Sequence, residues 1–292
     1  GFATKALYED YALLDRFFGA AVAGVPAWAL PGFVRARDGL ARAMLRRGPK
    51  YASVLDGRDE VYRTHALDRP LTARFDVGLL WASQANTVMT AFWTLVYLLR
   101  HPEALARVQD EVRTVTGATT LARAEPITRD AMRRLVLLDS ACSEGMRLTA
   151  GPMNGRFATT DFTFPLDAGG ALEIKAGDEF LLYPRHTHFD AEIFADPTAF
   201  RFDRFVDDRG RSTTFTKGGR RLTMPYLPFG GGVSMCPGRF FARNEIKVLV
   251  ATMLTWLDTE LITRALPPLD FSRIGLGTLP PKHDVTIRIR AR

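Results

Sequence analysis

The sequence predicts a mainly α-helical fold with a small β region, and three observations carry that prediction. Apolar residues recur with helical spacing in the first part of the chain. An uncharged stretch from Val77 to Leu99 is long enough for one long helix. Short strand-like runs separated by glycine-containing turns lie between residues 156 and 183. With 292 residues, 47% of them hydrophobic, the chain can bury a sizeable core, and we expect one domain over 1–292.

The first part, residues 1–66, is predicted to be helical. Apolar periodicity runs over Tyr11–Ala23 and again over Arg35–Arg47. Pro26 and Pro31 interrupt the chain between these two segments. We therefore expect two helices joined by a break.

The uncharged stretch predicts a helix over about residues 77–100. It is long enough to span a bilayer, but polar side chains occupy its middle. Four hydroxyl side chains fall at i, i+4, i+7 and i+11 and so share one helix face: Ser83, Thr87, Thr90 and Thr94. We interpret the segment as a core helix with a polar stripe and not as a membrane span.

More helices are expected before the strands begin. Pro102 suits the first turn of a helix over Glu103–Val112, because an N–H is not needed there. A loop over Thr114–Pro126 follows, then a helix from Thr128 and another over about residues 137–148.

Short strands and a last long helix complete the prediction. The strands are expected at Phe162–Leu166, Ala171–Ile174 and Phe180–Tyr183, within a β region over 156–183. A turn at Asp167 separates the first two. The remaining predicted segments are a loop-rich stretch over 196–228, a glycine-rich loop and helix segment over 226–257, and a tail over 267–292 with a strand at Asp284–Ile289.

Charge and cysteine content exclude several classes of protein. The net charge is +7, yet the basic residues form no block, and neither zinc-ligand spacing nor an aromatic RNA-binding pattern is present. We interpret the charge as a docking surface for an acidic partner or an anionic membrane, with an ordinary solvated face as the alternative, and we expect no nucleic acid partner. Only Cys142 and Cys236 are present, which excludes a disulfide scaffold and fits a reducing compartment.

The segment from Phe229 to Gly238 is the strongest chemical motif. It is a glycine-rich loop that delivers Cys236 to the start of a helix, with Pro237 expected at the first helical position. A thiolate there would be favoured by the helix dipole and by free backbone N–H groups. Gly232 and Gly238 allow the backbone to approach a flat ligand, and Phe229 can cover one side of the sulfur. The alternative is a buried cysteine in a glycine-rich turn.

Two further motifs contain polar side chains with defined spacing. Glu144 and Arg147 lie three residues apart on a predicted helix, and Arg204 could complete a buried network with them. We interpret this as scaffold, the alternative being a surface ion pair. Asn86 and Thr87 lie among small residues in the middle of the uncharged helix, where they could relay protons. There the alternative is hydroxyl bonding to the preceding helical turn.

These motifs, in this order, resemble the cytochrome P450 superfamily, and more narrowly the sterol 7α-hydroxylase branch. Sterol 12α-hydroxylases and prostacyclin synthases are sister groups. The segments that carry the narrower resemblance are Leu79–Thr87, Arg100–Leu105, Tyr226–Gly230, Cys236–Ala242 and Leu269–Gly277. The resemblance implies the C-terminal part of the cytochrome P450 fold. Members of the family are longer at the N-terminus, so we expect the membrane anchor and part of the sheet to be missing.

The resemblance also implies roles for individual residues. Cys236 would be the axial ligand of a haem iron, Arg156 would contact a haem propionate, and Phe229, Gly232 and Gly238 would line the cofactor. The expected supports of dioxygen activation are Thr87 and Asn86. The expected substrate-pocket residues are Trp81, Ala82, Ala85, Gly151 and Thr278.

The implied activity is haem-thiolate mono-oxygenation of a sterol or similar lipid. O₂ and electrons from an NADPH-cytochrome reductase would be consumed, at the cytosolic face of the endoplasmic reticulum membrane. The residues expected to dock the reductase are Arg220, Arg221, Arg239, Arg243 and Lys247. Two alternatives stay open: a lipid-peroxide isomerase like prostacyclin synthase, which needs no reductase, and an inactive fragment.

Overall fold

The computed structural model describes residues 4–46, 52–117, 127–166, 169–207, 209–210 and 212–292. The predicted helix end at Arg47, the predicted loop end at Pro126 and the predicted turn at Asp167 lie outside these residues. Of the described residues, 52% are helical and the sheets are small, which confirms the predicted fold class. It divides into two compact units, Gly1–Asn86 and Thr87–Arg292, each described by itself below. The prediction of a single domain stays a prediction.

Helices dominate both units. In the described part of the chain, the α-helices are α1 (Lys5–Val22), α2 (Phe33–Leu45), α3 (Ala52–Thr64), α4 (Arg69–Arg100), α5 (Pro102–Thr116), α6 (Arg129–Arg134), α7 (Val136–Thr149), α8 (Arg185–His188) and α9 (Arg239–Trp256). The boundary between the units falls within α4.

The strands are short and pair in antiparallel twos. They are β1 (Asn154–Phe157), β2 (Phe162–Pro165), β3 (Ala171–Ile174), β4 (Glu179–Leu182), β5 (Thr216–Lys217), β6 (Arg220–Arg221), β7 (Leu257–Leu261) and β8 (Ile287–Ala291). β1 pairs with β4, β2 with β3, β5 with β6, and β7 with β8. The three predicted strands of the β region and the predicted terminal strand are therefore present. β3 has the predicted ends, and the ends of the other three differ by at most three residues.

In the first unit, α1 and α2 pack against the beginning of α4. The buried residues of this core include Leu14, Leu40, Met44, Ala73 and Val77. They recur at helical spacing within α2 and α4, which is why each helix buries one face.

Helix α4 begins eight residues earlier than the sequence predicted. Asp68 caps its N-terminus by accepting a hydrogen bond from the Leu71 N–H at 2.7 Å. Asp76 lies in the added turns but is only 2% exposed, because Arg58 and Tyr62 both donate to its carboxylate. The helix start was predicted where the charged residues end. That rule failed because the Asp76 carboxylate is buried and paired within the helix.

In the second unit, α5, α7 and α9 surround a shared core. Its buried residues include Leu98, Val108, Leu138, Ile246 and Leu254. Glu111 on α5 accepts hydrogen bonds from the N–H groups of Leu137 and Leu138, at 2.8 and 2.9 Å, and thereby caps α7. The helix that carries the Glu-x-x-Arg motif is thus fixed at its start by a side chain from a neighbour.

Several boundaries were predicted wrongly. Helix α5 extends to Thr116 and ends at Gly117, which has a left-handed φ of 65°, so the loop begins later than Thr114. Strand β1 was missed because it contains Gly155 and no β-branched residue, so its sequence does not look like a strand. Strand β7 was missed because it follows α9 without a glycine or proline between them.

Candidate active site

A buried ion network joins α7 to the loop that follows α8. Glu144 and Arg147 are both 0% exposed and Arg204 is 6% exposed. Arg147 Nε and Nη2 donate to the two Glu144 carboxylate oxygens at 2.7 and 2.8 Å, and Arg204 Nε donates to Glu144 Oε1 at 2.9 Å. The structure therefore brings together the three residues that the sequence analysis grouped.

The two guanidinium groups also bind backbone carbonyls. Arg147 Nη1 donates to the carbonyls of His188 and Pro197 at 2.6 and 2.7 Å. Arg204 Nη1 donates to the Ala195 carbonyl at 2.5 Å. Burial is the first cause of the lowered pKa of Arg204, and Glu144 opposes it. The charges of the two arginines are paired with Glu144, and their N–H groups bind backbone carbonyls. The network therefore fixes the geometry of the loop that follows α8.

The loop that carries Cys236 is held by its own backbone and by one arginine. The Cys236 N–H donates to the Phe229 carbonyl at 2.9 Å. Arg156 on β1 reaches the loop from outside, and its Nη2 donates to the Gly231 carbonyl at 2.9 Å. Cys236 itself is half-buried and forms no disulfide. The loop therefore carries a free thiol and is contacted by a guanidinium from β1.

The glycines of this loop stand where other side chains approach. A Cβ on Gly230, which has a φ of +72°, would lie 2.8 Å from Asn154 Oδ1. A Cβ on Gly232 would lie 3.9 Å from the Arg156 guanidinium, and one on Gly238 would lie 3.8 Å from the Cys236 sulfur. A soft sulfur donor, an adjacent cation for an acidic group and glycines that add no side chain of their own fit a haem.

Pro237 is not the first helical residue, which corrects the prediction. Helix α9 begins at Arg239, with Gly238 as its N-cap. Pro237 and Gly238 instead form a turn in which the Arg239 side chain, through Nη1, donates to the Cys236 carbonyl at 3.1 Å. Cys236 consequently precedes the helix by two more residues than the sequence analysis assumed.

Three threonines of the hydroxyl stripe on α4 are buried within the second unit. Thr87, Thr90 and Thr94 are 4%, 2% and 0% exposed. Thr94 Oγ1 donates to the Thr90 carbonyl at 2.8 Å, which is the kind of bond left open above as the alternative role for Thr87. Thr90 Oγ1 lies 3.1 Å from Thr278 Oγ1, which connects the helix to the C-terminal tail.

The segments expected to line a substrate pocket are found in both units. Gly151 and Thr278 belong to two segments of the second unit that pair, since the Gly151 N–H donates to the Gly277 carbonyl at 2.7 Å. In the first unit, Trp81 Nε1 donates to Asp15 Oδ1 at 2.8 Å. Ala82 is exposed, and Ala85, like Asn86, is half-buried. The pocket role of these residues stays a prediction.

Lys247 is not available for docking a partner, contrary to the prediction. It is 7% exposed, and its Nζ donates to the Met132 carbonyl at 2.8 Å and lies 3.2 Å from Asp139 Oδ1. Arg243 also pairs with Asp139, although its side chain is 44% exposed. The other predicted docking residues comprise the exposed Arg220 and Arg221 and the half-buried Arg239.

Three residues that support these elements were missed from the sequence. Glu111 caps α7, Asn154 faces Gly230, and the buried His188 accepts a hydrogen bond from the Leu227 N–H. Their partners lie 26 or more residues away, so no local pattern marks them. Only the run of glycines after Phe229 indicated that something approaches that loop closely.

Among the described residues, no three His, Cys, Asp or Glu side chains are grouped so that they could hold a metal ion. Within the same ranges, no helix is both long and apolar enough to cross a bilayer.

Comparison with known proteins identifies similar sequences over most of the chain. A family model described as Cytochrome P450 matches residues 67–287. "Cytochrome P450 7A1" of Rattus norvegicus is 35% identical over 303 residues, covering 97% of this chain and 59% of that protein. "7-alpha-hydroxycholest-4-en-3-one 12-alpha-hydroxylase" of Homo sapiens is 38% identical over 234 residues, covering 78% and 47%. "25-hydroxycholesterol 7-alpha-hydroxylase" of Rattus norvegicus is 40% identical over 220 residues, covering 74% and 53%.

Solved structures show the same fold. The cytochrome P450DA heme domain has a TM-score of 0.61 at 26% identity, with 77% of this chain and 46% of that chain covered. A cytochrome P450 described as CYP102L1 has a TM-score of 0.62 at 22% identity, with 77% and 47% covered. The chain spans 59% of the length of the P450 7A1 relative and less of the 12α-hydroxylase.

Proposed function

The chain belongs to the cytochrome P450 family, and from that premise we propose that it is a haem-thiolate mono-oxygenase acting on a sterol or a similar bulky lipid. O₂ is the oxidant, and an NADPH-dependent reductase supplies the electrons. The similarity to 7α- and 12α-hydroxylases supports the sterol class, because those proteins are named for sterol substrates. We further propose the cytosolic face of the endoplasmic reticulum membrane as its location.

The loop around Cys236 is the observation that carries the proposal. The chemistry that haem supplies when bound is the activation of O₂ for attack on a C–H bond. Cys236 would bind the iron through its thiolate, and Arg156 would offer its guanidinium to a propionate. Gly232 and Gly238 add no side chain of their own beside Arg156 and Cys236, and the Phe229 carbonyl accepts a hydrogen bond from the Cys236 N–H.

The roles proposed for α4 concern protons and substrate. Thr87 is a buried hydroxyl in mid-helix, and Asn86 adds an amide next to it in sequence. A hydroxyl donates and accepts hydrogen bonds, so we assign Thr87 the holding and passing of a proton, with Asn86 in support. Five residues are proposed to contact substrate: Trp81, Ala82, Ala85, Gly151 and Thr278.

Three exposed arginines of the second unit are proposed to dock the reductase. Arg220, Arg221 and Arg243 are exposed, so an acidic partner can reach their charge. Lys247 is left out because its ammonium group is already bound inside the protein. Charge pairs at such a rim act mainly on the association rate, so electron transfer should slow as salt concentration rises.

The decisive test is the absorption spectrum of the reduced, carbon-monoxide-bound protein. We expect the red-shifted Soret band of thiolate-ligated haem in the wild type and its loss in Cys236→Ala. Cys142→Ala is the matched control, because Cys142 is the other free thiol and is buried at 3% exposure. A band that persists in Cys236→Ala, or that disappears in Cys142→Ala alone, would overturn the assignment of Cys236.

A second experiment separates the proposed reaction from the isomerase alternative. Cholesterol is added with NADPH and reductase, and hydroxylated product is measured by mass spectrometry. In parallel, a lipid peroxide is supplied without NADPH. Hydroxylation that depends on the reductase supports the proposal, whereas rearrangement of the peroxide without NADPH contradicts it. The buried Thr87 favours the mono-oxygenase, since a peroxide brings its own O–O bond and needs no proton relay.

A further inference from the structure

His188 lies between the buried ion network and the loop that carries Cys236. It is the last residue of α8 and is 0% exposed. Its carbonyl accepts a hydrogen bond from Arg147 Nη1 at 2.6 Å, so the backbone of this residue belongs to the network. Its ring faces a different partner: the Nε2 atom accepts a hydrogen bond from the Leu227 N–H at 3.0 Å.

Leu227 lies two residues before Phe229, where the Cys236 loop begins. Its carbonyl accepts a hydrogen bond from the Gly230 N–H at 3.2 Å, and the Phe229 carbonyl accepts one from the Cys236 N–H at 2.9 Å. The residue after Leu227 is Pro228, which has no N–H to offer. The hydrogen bond from the Leu227 N–H to His188 therefore attaches the start of the loop to α8.

Tyr226, the residue before Leu227, also contacts His188 and α7. The Tyr226 ring lies 5.5 Å from the His188 ring, centroid to centroid. The Tyr226 hydroxyl donates to the Ser143 carbonyl at 2.9 Å, one residue before Glu144. The segment of Tyr226 and Leu227 is thus attached both to α7 and to α8, on either side of the Glu144–Arg147 pair.

The bond to Leu227 requires one particular form of the imidazole. An Nε2 atom that accepts a hydrogen bond carries no proton, so the ring is neutral and its proton is on Nδ1. Burial first, then the charges of Arg147 and Arg185, lower the pKa of His188 to about 3, which keeps the ring neutral near pH 7.

We infer that His188 is a positioning residue for the haem ligand: its neutral imidazole fixes Leu227 and so links the Glu144–Arg147–Arg204 network to the Cys236 loop. The inference rests on the proposed function, in which Cys236 binds haem. An apolar side chain of similar size would leave the Leu227 N–H without its partner. The loop would then be free to shift, and the position of the sulfur with it.

Three variants and a control separate this role from simple packing. His188→Leu removes the acceptor and keeps much of the volume. His188→Gln keeps an acceptor, because its side-chain oxygen extends about as far as Nε2. His188→Asn is polar but too short to reach, and it serves as the second test should His188→Leu fail to fold. His186→Leu is the control, since His186 is an exposed residue of the same helix.

The first readout does not depend on haem. Hydrogen exchange of the Leu227 amide is measured by NMR in the wild type and each variant. We expect protection in the wild type, His188→Gln and His186→Leu, and exchange at least tenfold faster in His188→Leu and His188→Asn. Unchanged exchange in both acceptor-free variants would overturn the inference, because the bond to His188 would then not hold Leu227.

The second readout is the form of the haem at equal haem content. In the reduced, carbon-monoxide-bound spectrum, we expect the thiolate-type fraction to fall at least twofold in His188→Leu and His188→Asn and to recover in His188→Gln. Faster Leu227 exchange with an unchanged thiolate fraction would overturn the positioning role alone. A wild type without any thiolate band would instead overturn the proposed function, and the role of His188 toward haem with it.

Discussion

Gly145 on α7 lies so close to Thr94 on α4 that a Cβ on the glycine would be 2.8 Å from Thr94 Oγ1. Both residues are buried in the second unit. Glu144 precedes Gly145 directly, so the ion network lies next to this close contact between α4 and α7. A glycine in mid-helix is unfavourable by itself, and here packing explains its presence.

Gly145→Ala is expected to destabilise the protein despite the higher helix propensity of alanine. Overpacking of a buried contact lowers the free energy of unfolding by about 1–3 kcal/mol. Gly78→Ala is the matched control, because a Cβ there meets nothing within 4 Å, and it should raise stability by up to about 1 kcal/mol. Urea denaturation measures both. Equal stabilisation by the two substitutions would show that α4 and α7 are further apart.

Glu144→Gln is expected to be among the most destabilising single changes. It leaves Arg147 and Arg204 buried without a counter-charge, and breaking a buried pair in this way lowers the free energy of unfolding by about 3–5 kcal/mol. The control is Asp130→Asn, which breaks the exposed pair with Arg133 and should change stability by less than about 1 kcal/mol. Chemical denaturation of both variants distinguishes a buried network from a surface pair. Similar small losses would contradict the burial of Glu144.

The parts of the fold that could be predicted are those with local patterns. Helical periodicity was sufficient for α1, α2 and α7, and alternation between glycine turns was sufficient for β2 and β3. Strand β7 could not be found this way. It pairs with β8 about thirty residues later, as in Leu257↔Ala291, and nothing at its own start marks the change from helix.

In the candidate site, too, contacts between residues close in sequence were predicted and contacts between distant residues were not. Glu144 and Arg147 share a helix, so their spacing predicted the pair. The burial of Lys247 depends on Met132, 115 residues earlier, and a lysine in the middle of a helix looks like a solvated charge in the sequence. Pro237 was misplaced because proline suits both a first helical residue and the turn before a helix.

Glu111→Ala is expected to weaken the start of α7. The glutamate accepts from two backbone N–H groups that no residue of the helix itself can satisfy. Loss of such a cap lowers the free energy of unfolding by about 0.5–2 kcal/mol. Asp110→Ala, one residue earlier and exposed on the same helix, should have a smaller effect. Hydrogen exchange of the Leu137 and Leu138 amides locates the change, and exchange that stays slow would contradict the capping role.

Acid should destabilise the protein partly through His188. Its pKa is lowered from 6.5 to about 3 in the folded state, so between these values the unfolded chain binds the proton more readily. The stability from this group is complete above pH 6.5 and is lost as pH falls, by about 2 kcal/mol between pH 7 and pH 5. His188→Gln does not titrate, so its free energy of unfolding should depend less on pH by that amount. The measurement is urea denaturation of both proteins at several pH values between 5 and 7. Parallel curves would mean that the imidazole is as easily protonated in the folded protein as in the unfolded chain, and hence that Nε2 does not hold Leu227.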